Sequence, residues 1–174
     1  MSEGETAETL WNNFVIATAE YRTTRLSVFR SLVIHDSPLL AENDPILNPA
    51  RASLADQRSE AALVAVSSLP QAYHQALFDE LVVAALEWNV NNGRNVATDL
   101  LSKLPQQWVN DHFRSLVDRL LLDDPSRLTT SLLELCAELD SDLGLILAKR
   151  ALASDDEYLR DIGEHFTRQF NAAK

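Results

Sequence analysis

Apolar residues recur along this chain three and four positions apart, the spacing of a helix with one buried face, and polar residues fill the intervals. Over residues 5–33 that stripe is Leu10, Phe14, Tyr21, Val28, Phe29 and Leu32, which predicts one long helix or two stacked ones with Thr23-Thr24 as the weak point. The pattern lapses over 34–49. Three X-Pro steps there, Ser37-Pro38, Asp44-Pro45 and Asn48-Pro49, bias their first residues away from helix and predict a long connection. Its Ile34, Leu39, Leu40, Ile46 and Leu47 either pin it to the body or leave it to serve a function. Helix resumes with Asn48 as cap and Pro49 at the first helical position, running through Leu54, Ala61, Leu63 and Val66. Ser68 and Gln71 stand at capping-box spacing, heading a helix expected to reach a left-handed stop at Asn91-Asn92-Gly93.

A short helix is predicted over 96–104, followed by a longer one from Pro105 to Asp123 whose apolar face is Trp108, Val109, Phe113, Leu116, Val117, Leu120 and Leu121. Asp124-Pro125 starts the next, with Leu128, Leu132, Leu135 and Leu139 in a row. Asp140-Ser141 starts another, bearing Leu143, Ile146, Leu147 and Leu152. Ser154 and Glu157 have capping-box spacing at the head of a last helix with Tyr158, Leu159, Ile162, Phe166 and Phe170.

The later helices repeat. Laying Leu69-Pro70-Gln71 over Leu104-Pro105-Gln106 gives an offset of 35 and also pairs Tyr73 with Trp108, Phe78 with Phe113, Leu81 with Leu116, and Val82 with Val117. A third unit begins at Asp140, with Leu143 where Trp108 stands and Ala148 where Phe113 stands. Three helix pairs of about 35 residues over 68–174, after N-terminal helices and a long loop over 5–67, resemble an α-solenoid of HEAT type. The resemblance implies a single all-α domain over 1–174, built of stacked antiparallel helix pairs wound into a superhelix. An irregular helical bundle is the alternative architecture.

Composition agrees with an all-α chain. Four glycines and six prolines leave long unbroken stretches of good helix formers. The first nine residues carry three glutamates and no base, unlike a targeting segment, and no run approaches the ~18 apolar residues of a membrane span. The lone Cys136 adjoins the apolar row at Leu132 and Leu135 and is expected to be a buried small hydrophobe; with no disulfide to form, the cytoplasm is the expected compartment. A formal net charge of −11, from 26 acids against 15 bases, disfavours nucleic-acid phosphates and anionic membranes as partners.

Catalytic and metal chemistry finds little footing. None of His35, His74, His112 and His165 has an acid three residues before it, and there is no His-Glu-x-x-His, nucleophile elbow or phosphate loop, so no cofactor and no metal are expected. His35-Asp36 matches the dipeptide of HD-domain phosphohydrolases without the upstream histidine that family also uses, which leaves an all-α metal-dependent phosphohydrolase as the enzyme alternative. Elsewhere Arg114 stands one turn from Asp111 and Asp118 and is expected to balance them.

Between 123 and 142 the charges fail to balance: Asp123, Asp124, Glu134, Glu138, Asp140 and Asp142 face only Arg127. Glu134 and Glu138 are a like-charged i,i+4 pair, an arrangement that costs an isolated helix a few tenths of a kcal/mol. These six acids are the candidate partner-binding residues. They suggest a noncatalytic protein-binding domain whose partner is a basic protein. In overall character the chain resembles small bacterial toxin-immunity proteins, which implies an inhibitor blocking a basic toxin domain. A helical-repeat adaptor or assembly factor holding a peptide or helix is the other interaction reading.

Overall fold

The computed structural model describes residues 6–20, 44, 46–55, 60–87 and 93–172. Among the described residues the chain is all-α: ten α-helices and one 3-10 turn, with no strand. They are α1 Ala7–Glu20, α2 Leu47–Ala55, α3 Glu60–Val66, α4 Gln71–Ala76, α5 Phe78–Glu87, α6 Gly93–Ser102, α7 Gln106–Asp123, the 3-10 turn Pro125–Arg127, α8 Thr130–Leu139, α9 Ser141–Leu152 and α10 Glu157–Ala172. The expectations for Tyr21 to Leu40, for the His35-Asp36 dipeptide and for Asn91-Asn92 lie outside the described residues. The chain groups into two compact units, 1–84 with 88–100, and 85–87 with 101–174.

In the first unit α1 packs on α3 and α2, and α2 packs on α3. Trp11 and Phe14 on α1 are fully buried, their rings tilted at 45° with centroids 5.9 Å apart. The indole nitrogen of Trp11 has lost water and is satisfied by donating to Ser53 Oγ on α2 at 2.8 Å. The cap of α2 is Asp44, three residues before its first, and not Asn48, which lies inside the first turn. One Asp44 oxygen accepts from the amides of Ile46 (2.8 Å) and Leu47 (3.0 Å), while the other accepts from the Tyr73 hydroxyl at 3.1 Å. That carboxylate therefore ties the end of the proline-rich connection to α4, with Ile46 and Leu47 buried beside it. Burial first, and then the facing Asp44 charge, pushes the Tyr73 phenol up to about 12.

The Ser68 hydroxyl, like that of Ser67, donates back to the Val64 carbonyl at the end of α3. The carbonyls that close a helix need donors as much as the amides that open one, and here the serines serve the helix they follow. Pro70 takes the N-cap position of α4 with no side-chain cap. Residues 71–87 make two segments about a turn at Leu77, whose amide still reaches the Tyr73 carbonyl (2.9 Å). Gly93, expected to stop the preceding helix, is the first residue of α6.

The second unit is made chiefly of α7 to α10. α7 packs on α8, α8 on α9 and α10, and α9 on α10. Its core is Val109, Phe113, Leu116, Val117 and Leu121 from α7, Leu132, Leu133, Leu135, Cys136 and Leu139 from α8, Leu143, Leu147, Ala148 and Ala151 from α9, and Phe166 and Phe170 from α10. Cys136 is fully buried, and burial pushes its thiol up to about 12, so it behaves as the small hydrophobe expected. Two glycines bring α9 and α10 together. A Cβ on Gly163 would meet the Ala148 carbonyl and the Leu152 Cα at 2.8 Å, and one on Gly144 would meet the Phe170 ring.

Helix starts and buried positions recur at the 35-residue offset. Gln71, Gln106 and Ser141 each open a helix, Pro70, Pro105 and Asp140 each hold its N-cap position, and Leu69, Leu104 and Leu139 are buried just ahead. Phe78, Phe113 and Ala148 are buried at one shared position, and Leu81, Leu116 and Ala151 at another. The register fails at Leu152, which is exposed where Val82 and Val117 are buried, because α9 ends there while the helices before it run on.

Candidate binding surface

The six acids of 123–142 separate by role once placed on their helices. Asp123 closes α7 and is exposed. Asp124 follows it as the cap of the 3-10 turn, not of a full helix as the sequence suggested, accepting from the Ser126 amide (3.0 Å) and hydroxyl (2.6 Å). The hydroxyl and then the amide of Ser126 hold its carboxyl below the usual carboxylate range. The cap of α8 is Thr129, whose Oγ1 accepts from the Leu132 amide at 3.4 Å. Glu134 and Glu138 are both exposed along α8, one turn apart. Asp142 is exposed in the first turn of α9.

Asp140 is the exception, being only 6% exposed. Its Oδ1 accepts from the Leu143 amide at 3.0 Å and so caps α9, while both oxygens accept from Arg114 on α7, at 2.6 and 3.1 Å. Burial alone would raise the Asp140 carboxyl; the Arg114 guanidinium and the Leu143 amide outweigh it and hold the group below its ordinary range. Arg114 is correspondingly raised, chiefly by that hydrogen bond. Sequence proximity gives Arg114 to Asp111 and Asp118; its two parallel N–H donors instead take the Asp140 carboxylate, while the Asp111 charge also contributes to raising it. Asp140 is thus a cap and clamp and takes no part in an accessible surface.

Arg127, the lone base of the stretch, lies 3.2 Å from Glu87 and 3.9 Å from Asp124. The Gln106 amide at the start of α7 donates to the Leu139 carbonyl at the end of α8, at 2.6 Å, so the two helices run antiparallel. Asp123 and Asp124 are therefore at one end of the pair and Glu138 is near the other, with Glu134 between. Next to Asp123 stands Leu122, 83% exposed. A run of three leucines, 120–122, cannot lie on one face when each residue turns the helix by ~100°, so an outward leucine was readable in the sequence. Ile146, Leu152 and Tyr158, which periodicity placed in the core, are likewise exposed.

The described histidines show no catalytic grouping. His74 is buried and its Nε2–H donates to the Val66 carbonyl at 2.9 Å, satisfying the end of α3. His112 stacks on Trp108, centroids 3.9 Å apart, and its Nδ1–H donates to that residue's carbonyl at 2.8 Å. His165 meets Phe166 edge-on. Among the described residues no three His, Cys, Asp or Glu are placed to hold a metal ion. An open recess of about 410 Å³ between α1 and α2 is lined by Glu8, Asn12, Asn48, Pro49, Ala52 and Ser53. No described helix is long and apolar enough to cross a membrane. No family model, curated protein or solved structure matches this chain.

Proposed function

We propose that this protein is a noncatalytic binding domain that presents the α7–α8 helix pair to a basic protein, as an inhibitor of immunity type whose partner is a basic toxin domain. The reading rests on one observation: the exposed carboxylates of Asp123, Glu134 and Glu138 lie along a helix pair that also exposes Leu122. Carboxylates steer the encounter with a positive surface, and an apolar side chain among them supplies contact that persists once water leaves. Glu134 and Glu138 place two exposed carboxylates one turn apart on α8, which adds to the negative charge of that face. The shared register at Gln71, Gln106 and Ser141 supports reading residues 68–174 as three HEAT-like helix pairs.

The test is capture of partners by the tagged chain at ~50 mM and ~500 mM salt, alongside the Glu134→Lys/Glu138→Lys variant. Surface charges are screened over ~10 Å at 0.1 M salt, so a basic partner held at low salt should be largely lost at high salt and lost to the variant at both. Capture that is the same for the variant and indifferent to salt would return the α7–α8 face to an ordinary solvated surface. It would favour the groove-binding adaptor instead.

A further inference from the structure

We infer that the outer face of α9 is a self-complementary docking stripe for a second copy of this chain, set antiparallel about a twofold axis at Ile146. On a helix of ~3.6 residues per turn, residues 142, 146, 149, 150 and 153 fall within ~100° of one another. The structure leaves this whole stripe outside: Asp142, Ile146, Lys149, Arg150 and Ala153 are exposed, with Ile146 at 59%, while Leu143, Gly144, Leu147, Ala148 and Ala151 fill the opposite, buried face. The order along the stripe is acid, apolar, base. Asp142 lies four residues before Ile146 and Arg150 four residues after it.

That order is complementary to its own reverse. When two copies of α9 cross antiparallel with Ile146 against Ile146, Asp142 of each faces Arg150 of the other, and both pairs form at once, as an isologous contact requires. The helix dipole accounts for an acid in the first turn and bases in the last. It does not account for their lying on one face with a half-uncovered isoleucine between them. One short helix from each chain buries less than the ~1,200 Å² of a standard interface, so association is weak and depends on concentration. This stripe uses neither Glu134 nor Glu138, and its test is independent of the α7–α8 reading.

The test is mass by sedimentation or light scattering over a concentration series from ~10 µM to ~1 mM, with far-UV circular dichroism as the folding control. Wild type should pass from the mass of one chain toward that of two, and Ile146→Glu should stay at one chain throughout with its helical signal intact. Salt is a poor discriminator, because the −11 charge on each chain repels its partner while the stripe pairs attract. Charge reversal discriminates better. Asp142→Lys and Arg150→Glu should each lose association alone, the first carrying bases at both ends of the stripe and the second acids at both ends, and a 1:1 mixture should regain it as a heterodimer. A wild type of constant single-chain mass, an Ile146→Glu variant that still associates, or a mixture without rescue would each overturn the inference.

Discussion

Asp140 shows how one residue can be drawn out of a surface role by two obligations at once. It caps α9 through the Leu143 amide and clamps Arg114 from α7, and it is buried doing so. Removing its side chain should cost about 0.5–2 kcal/mol for the cap alone, whereas Asp140→Asn keeps an acceptor for the Leu143 amide and should cost less. The charge has its own signature in pH. The carboxyl is held below its ordinary value in the folded chain, so its contribution is fully present above the unfolded value of ~3.9 and drains away as pH falls through the lower folded one. Thermal melts of wild type and Asp140→Asn should therefore differ at pH 7 and converge as the solution is acidified through the lowered folded value. Curves that stay parallel across that range would mean that the Arg114 pair carries no net stability. The same residue marks the limit of local reading. The cap was evident from Asp140-Ser141, but the clamp joins positions 26 apart, and nothing near Asp140 in sequence names Arg114 as its partner.

At the scale of elements, helix identity was legible and helix ends were not. Apolar periodicity placed α7 from Pro105 to Asp123 because eighteen residues of regular burial leave little choice of face. Caps depend on which of several nearby hydroxyls and carboxylates turns forward, and spacing alone does not decide that: Asp156 in place of Ser154 receives the Leu159 amide at the head of α10. Ser154 Oγ accepts instead from the Asp156 amide at 3.1 Å, which fixes the turn between α9 and α10. The crossing of those two helices gives a prediction with opposed signs. Helix propensity alone favours Gly163→Ala by about 1 kcal/mol. A Cβ there would press on the backbone of Leu152 and Ala148, which cannot rotate away as a side chain can, so overpacking of about 1–3 kcal/mol should win and the melting temperature should fall. A rise in melting temperature on Gly163→Ala would show that α9 and α10 are free to separate.

At the scale of the whole molecule, helix starts spaced 35 residues apart were legible, because Pro70, Pro105 and Asp140 punctuate the chain at that interval. Leu69, Leu104 and Leu139 precede helices opened at Gln71, Gln106 and Ser141, and burial follows the register even where Phe113 gives way to Ala148. The division into units at about residue 100 was not legible, since it depends on which helices choose each other and not on any break in composition. It yields a prediction of its own. Residues 101–174 hold a core contributed by four helices, a bidentate clamp between Arg114 and Asp140, and a glycine-mediated crossing of α9 and α10, all internal to that stretch. A piece of this length buries only about 60% of its unfolded surface and has little stability to spare. It also loses the Glu87 partner of Arg127. The fragment 101–174 should therefore keep a helical far-UV spectrum and melt in a single cooperative transition, several degrees below the full chain. A spectrum of random coil at 10 °C would mean that these helices gain their order from the first unit, and that the chain folds as one cooperative body in which the repeat is a pattern of burial alone.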